Sequence, residues 1–138
     1  DRVSAPNSII TTIISAGNRC TLNCGAAPRV LLAYIPDEDR RAALAEPQTI
    51  RTAQSVTDPV ELTRIAETIR RRGYEYVVDD FIIGLAALGV PVFSQRGELV
   101  GAISVTNLTD RIDFADDQSA LLKSLQDAAR RLSIAPRL

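Results

Sequence analysis

The apolar positions along this chain change period several times, and each change predicts an element. Residues 8–15 read SIITTIIS, rich in β-branched side chains that lose little freedom in an extended backbone and pack well on a pleated surface. They predict a strand, closed by a turn at Gly17-Asn18. Over residues 24–34 the placing of Ala27, Val30, Leu31 and Tyr34 predicts a helix capped by Asn23, with Pro28 tolerated in the first turn. A second, short helix is predicted from Pro36 in PDEDRRAALAE, its acids gathered where the macrodipole is positive.

The strongest helical signal follows a linker at residues 55–58. Asp58 is the expected cap, Pro59 the first helical residue, and Glu61 falls three residues after the cap in a variant of the capping box. Leu62, Ile65, Ala66 and Ile69 then share one face, arginines crowd the last turn, and Gly73 ends the helix.

Residues 74–78 predict a strand, and residues 85–93 contain another in which Pro91 argues for an edge or irregular position. A turn at residues 95–98 leads into a strand over residues 99–106. There Ile103 and Val105 alternate with Ser104 and Thr106, so one side joins the core and the other offers hydroxyls. Asp113 is the expected cap of a last helix with a stripe of Leu121, Leu122, Leu125, Ala128, Ala129 and Leu132. The order strand, three helices, three strands, helix predicts an α/β chain of the α+β kind. Its twisted antiparallel or mixed sheet is flanked by helices, with residues 88–106 forming an antiparallel pair.

At 138 residues, with 46% apolar side chains, the chain has the size and content of one domain with a real core. Its formal charge of -1 provides no field for a nucleic-acid backbone, so any DNA binding belongs to another domain. Two cysteines are too few for a disulfide framework, and no continuous apolar span is long enough to cross a bilayer; a cytoplasmic setting, with no membrane partner, is expected. The charged start Asp1-Arg2-Val3 runs straight into strand-like sequence, so an upstream strand or domain is expected beyond this piece.

Chemistry is bounded by absence. Without histidine there is no Ser-His-Asp or Cys-His system and no commonest metal ligand, so neither catalysis nor a metal nor a cofactor is expected. Cys20 and Cys24 form at most half a zinc site. Cys24 is expected as a small buried hydrophobe, with a pocket-lining thiol of lowered pKa as the alternative. Asp79 and Asp80 read first as solvated loop acids. The amides at residues 23–27 offer a place for an anion at a helix start, and Arg29 there is expected to point to water.

Several segments in order resemble the effector-binding domain of IclR-type bacterial transcription regulators: LNCGAAPRVLLAYIPDED, TDPVELTRIAETIRRRGYEYVVDD, Gly84 with Pro91-Val92, and GELVGAISVTNLTDRI. The resemblance covers nearly the whole chain. It implies a GAF-like or profilin-like effector domain over residues 1–138, with a winged helix-turn-helix domain lying outside this sequence. It further implies homodimers or homotetramers, and DNA binding altered by a small organic or aromatic acid.

Carried over by position, the effector cavity takes Asn23, Cys24, Gly25 and Ala26 from the helix start and Asp79 and Asp80 from the next loop. Ala87, Leu88 and Gly89 come from one strand, and Ser104, Thr106 and Asn107 from another. The expected cavity lies between the amide-rich start of the first helix and the hydroxyl-bearing end of the last strand.

The departures from the family are specific. Its His-x-Thr-Ala-x-Gly-Lys pattern is here Asn23-Cys24-Gly25-Ala26-Ala27-Pro28-Arg29, a cysteine and arginine become Ala86 and Ala87, the usual Ser-Gly becomes Thr106-Asn107, and Val77 replaces an aspartate. A pocket with fewer polar contacts implies a larger, more apolar ligand. The alternatives are a GAF-like sensory or oligomerisation module with a degenerate pocket and, further off, a small hydrolase.

Overall fold

The computed structural model describes residues 17, 19–114 and 116–133. The strand expected over residues 8–15 lies outside the described residues. Among them are four α-helices, α1 (Ala26–Tyr34), α2 (Asp37–Ala45), α3 (Pro59–Arg72) and α4 (Ala120–Ser133), and a 3-10 turn at Thr109–Arg111. Three strands, β1 (Glu75–Val78), β2 (Leu85–Phe93) and β3 (Leu99–Leu108), form an antiparallel sheet in the order β1-β2-β3. The chain is thus an α+β domain with a small antiparallel sheet flanked by helices.

Alternation along the strands decides what each face of the sheet carries. Leu88, Val90 and Val92 of β2, with Tyr76, Ile103 and Val105, pack on Leu122, Leu125 and Ala129 of α4. The opposite face carries Val77, Ala87, Gly89 and Ala102 and lies under α1. Behind α1 sits α3, whose Ala66 and Ile69 meet Val30 and Ala33. The resulting layers are α3, α1, sheet and α4. Fully burying a side chain such as Leu62 or Ile69 of α3 is worth about 1.5–3 kcal/mol.

Pro91 lies in the central strand, not at the sheet's edge. It is tolerated because β1 pairs with β2 only as far as Gly89, so beyond that point, among the described residues, β2 has a partner on the β3 side alone. Ala102, opposite Pro91, is the small residue where α1 and α3 press close. At Gly101 an added Cβ would find no atom within 4 Å, so that glycine answers no such approach.

Helix ends follow local chemistry with two exceptions. Asp58 accepts a hydrogen bond from the Val60 N–H at 3.1 Å, and Gly73 closes α3 at φ 83° with its N–H on the Ile69 carbonyl. Asp113, however, does not cap α4. That helix starts at Ala120, where the Leu122 N–H reaches the Ser119 hydroxyl at 3.4 Å. Nor does Asn23 cap α1, whose N-cap is Gly25 at φ 97° with no side-chain cap. The small helix α2 buries no residue; Arg40 ties it down by donating to the Leu32, Ala33 and Ile35 carbonyls at the end of α1.

Candidate functional site

The first turn of α1 contains no acid of its own, so the positive pole of the helix must be met from elsewhere in the chain. Asp80, in the loop between β1 and β2, meets it. Its Oδ2 accepts the Gly25 N–H, and its Oδ1 lies 3.1 Å from Arg29 Nη2. Arg29 also donates from Nε to the Asn23 carbonyl at 2.8 Å and from Nη1 to Glu75 Oε2 at 3.3 Å. Glu75 in turn accepts from Arg72, whose guanidinium lies 4.4 Å from the Tyr74 ring centre. Asp80, Arg29 and Glu75 are all buried.

Two expectations are corrected here. Asp80 is no solvated loop acid, and Arg29 does not point to water; each is buried because the other is present. The amide of Gly25, open to an anion in the sequence, is engaged by the chain's own carboxylate. Asp79 plays a separate, local part: at φ 59° it turns the loop, and its Oδ1 accepts the Gly84 N–H at 2.7 Å.

Beside this network the segment joining α2 to α3 is fastened by one amide. Asn23 is fully buried and donates to the carbonyls of Thr49 at 2.8 Å and Val56 at 3.0 Å. Its Oδ1 accepts from the Thr21 hydroxyl at 2.7 Å and the Thr49 N–H at 3.3 Å. Ser55 completes the join, donating to the Asp80 carbonyl at 3.1 Å and accepting from the Arg51 and Thr52 amides.

Between that segment and the chain leading into α1 lies a cleft of about 340 Å³, lined by Arg19, Cys20, Thr21, Cys24, Thr49, Arg51 and Phe81. Two arginines border it, and among the described residues no carboxylate does. The Arg51 guanidinium sits 3.8 Å from the centre of the Phe81 ring, which leaves an aromatic face and a cation side by side. Burial pushes the Cys24 thiol above its ordinary value of 9.0, although the Ser55 hydroxyl opposes the shift. Cys24 is therefore a neutral thiol, its sulfur 3.4 Å from the Thr49 carbonyl; its pKa is raised, not lowered.

The structure gathers only some of the expected site residues. Cys24 borders the cleft, with Asn23, Gly25 and Asp80 immediately behind it. Ala26 packs with Val77 and Ala87 beneath the start of α1. Gly89 lies so close under that helix that an added Cβ would stand 3.0 Å from the Ala26 carbonyl carbon. Ser104 and Thr106 pair with Gly89 and Ala87 on the same face of the sheet, yet both are exposed and neither lines the cleft. Asn107 accepts the N–H of its neighbour Leu108 at 2.8 Å. Leu88 faces the other way, fully buried against α4.

Arg19, Thr49, Arg51 and Phe81 were not expected at a site. They come from three separate stretches, and no motif joins them; the one available signal was a pair of arginines flanking polar, turn-forming sequence. Among the described residues no group of three or more Cys, Asp or Glu side chains is placed to hold a metal ion. No helix among them is long and apolar enough to cross a membrane.

Comparison with known proteins agrees with this architecture. The Pca operon regulatory protein of Acinetobacter baylyi is 28% identical over 117 residues, covering 84% of this chain and 42% of the relative. A transcriptional regulator of Rhodococcus sp. RHA1 superposes with a TM-score of 0.80 at 27% identity, covering 91% of this chain and 51% of that one. A double mutant of the PobR inducer-binding domain from Acinetobacter, crystallised with 3-hydroxybenzoic acid, shares the fold with a TM-score of 0.75 at 21% identity, over 85% of this chain and 69% of its own. This chain thus spans about half the length of the curated relatives it matches. The family described as bacterial transcriptional regulator IclR C-terminal matches residues 1–134, and on that match the chain belongs to the IclR family as its C-terminal domain.

Proposed function

We propose that this chain is the effector-sensing domain of a longer cytoplasmic transcription regulator. In this reading residues 1–138 form one GAF-like or profilin-like unit, a small organic or aromatic acid is its effector, and a separate winged helix-turn-helix domain holds DNA. Homodimers or homotetramers would carry the signal between copies. The observation that carries the reading is the cleft itself: Arg19, Arg51 and the Phe81 ring border one space, and among the described residues no carboxylate lines it. A carboxylate can pair with either arginine, and an aromatic or acyl body can lie against the ring.

Linkage supplies the mechanism. A bound acid touching both the α2–α3 segment and the chain before α1 changes DNA affinity only if it binds one arrangement of the longer protein better than another. Asp80, Arg29 and Glu75 join the wall of the cleft to β1, so a shift at the cleft is felt by the sheet. One observation favours the second reading, a module without effector: where Gly89 meets Ala26, the space beneath the start of α1 is filled by the chain itself.

Thermal-shift titration with benzoate, 3-hydroxybenzoate and short dicarboxylates separates the two. A ligand present at a hundred times its Kd adds about 2.7 kcal/mol to the native state, a clear rise in midpoint. Arg51→Ala should abolish that rise while leaving the unliganded midpoint close to the original. If no acid moves the midpoint at millimolar concentration, the module without effector is the better account.

A further inference from the structure

We propose that the cleft is also a redox-modification site, in which Cys20 and Cys24 are joined as a disulfide by a peroxide. These are the only two cysteines of the chain, and both border the same cleft. Their situations are complementary. Cys20 is exposed and open to a small oxidant, whereas Cys24 is 2% exposed and shielded from one. The first oxidation therefore falls on Cys20 and the second thiol waits behind it.

The flanking bonds decide which residue moves. Cys24 lies between Asn23, whose side chain is held by four hydrogen bonds, and Gly25, held by Asp80. Arg19 and Cys20, by contrast, are irregular backbone exposed to solvent. A disulfide needs Cα atoms within about 4.4–6.8 Å, and rotation along the irregular backbone between Cys20 and Cys24 provides the approach. The backbone from 20 to 24 is not helical, so no regular structure must be broken.

The chemistry balances with peroxide as the only added reactant. The Cys20 sulfur attacks one peroxide oxygen, the O–O bond breaks, and Cys20 becomes a sulfenic acid as the first water leaves. The Cys24 sulfur then attacks the Cys20 sulfur; the S–S bond forms, the S–O bond breaks, and the hydroxyl departs as a second water with the Cys24 proton. Two thiols are oxidised by two electrons and the peroxide is reduced. Because burial raises the Cys24 thiol, this second step should accelerate with pH.

The test does not depend on any effector. The reduced chain is treated with hydrogen peroxide, unfolded, alkylated with iodoacetamide and weighed by mass spectrometry. The expected product is a monomer lighter by two hydrogens with no alkylated cysteine, restored by dithiothreitol. Cys24→Ser should leave a Cys20 sulfenic acid that dimedone traps, and Cys20→Ser should slow oxidation at residue 24 by roughly tenfold or more, in keeping with its burial. Cys20 over-oxidised while Cys24 is still alkylated after unfolding, or a disulfide between two copies in place of the internal one, would overturn the proposal. The thermal midpoint of each variant, measured in reductant, shows whether it is folded.

Discussion

Asp80 reaches from the β1–β2 loop to Arg29 on α1, 51 positions away in sequence, and places a carboxylate 3.1 Å from the guanidinium at the point where α1 begins. Removing Asp80 leaves the buried Arg29 with Glu75 as its remaining carboxylate, and removing Arg29 leaves the Asp80 charge buried with the Gly25 N–H. Asp80→Ala should lower stability by about 3–5 kcal/mol, the usual cost of breaking a buried pair, and Asp80→Asn should lower it less because an amide oxygen can still accept the Gly25 N–H. Urea denaturation of both variants checks this, and a loss under about 1 kcal/mol for the alanine variant would show the pair to be effectively solvated.

Gly89 lets the backbone of α1 rest directly on β2. Gly89→Ala puts a methyl 3.0 Å from the Ala26 carbonyl carbon and 3.1 Å from the Ala27 nitrogen, so the helix start must lift. A loss of about 1–3 kcal/mol is expected, typical of overpacking against backbone. Gly101→Ala, where nothing stands within 4 Å, is the control and should be nearly neutral. Hydrogen exchange in the first turn of α1 should rise in the first variant only.

The N-terminus of α3 depends on a single side chain. Asp58→Ala removes the acceptor for the Val60 N–H and should cost about 0.5–2 kcal/mol, whereas Asp58→Asn should leave stability almost unchanged. Equal losses from both variants would mean that the charge of Asp58, not its hydrogen bond, holds the helix start.

Two acidic groups, the buried Cys24 thiol and the half-buried Tyr34 hydroxyl, set the alkaline limit. Burial raises the Cys24 thiol above 9.0 and the Tyr34 hydroxyl above 10.0. Each group is harder to deprotonate in the folded chain than in the unfolded one, so the unfolded chain loses protons first. Stability is then complete below those ordinary values and falls as pH climbs through them. Thermal midpoints taken across this range should decline, and Cys24→Ala with Tyr34→Phe should flatten the decline; an unchanged slope in the double variant would place the cause elsewhere.

The parts of the fold that were legible in the sequence are those decided locally. Asp58, Pro59 and Gly73 delimit α3 with contacts no more than four residues long, and the alternation of Ile103 and Val105 with Ser104 and Thr106 correctly separates the two faces of β3. The start of α4 was obscured because acids at 110, 113, 116 and 117 compete as caps, and a serine supplies the contact. Leu88 was grouped with Ala87 and Gly89 against the period of a strand, which sends it to the other side of the sheet. The cleft was illegible for a different reason. Arg51 and Phe81 are 30 positions apart, and they meet through long-range bonds from Asn23, Thr52 and Ser55 that no spacing encodes.

Asn23 grips the Thr49 and Val56 carbonyls together while its own main chain runs straight into α1. Anything that wedges the cleft wider must raise the whole intervening stretch or drag the helix with it, since one amide clamps both ends. Sideways pressure from a guest is thereby converted into tilting of a rod that rests on a glycine, a fulcrum with no side chain to resist the turn.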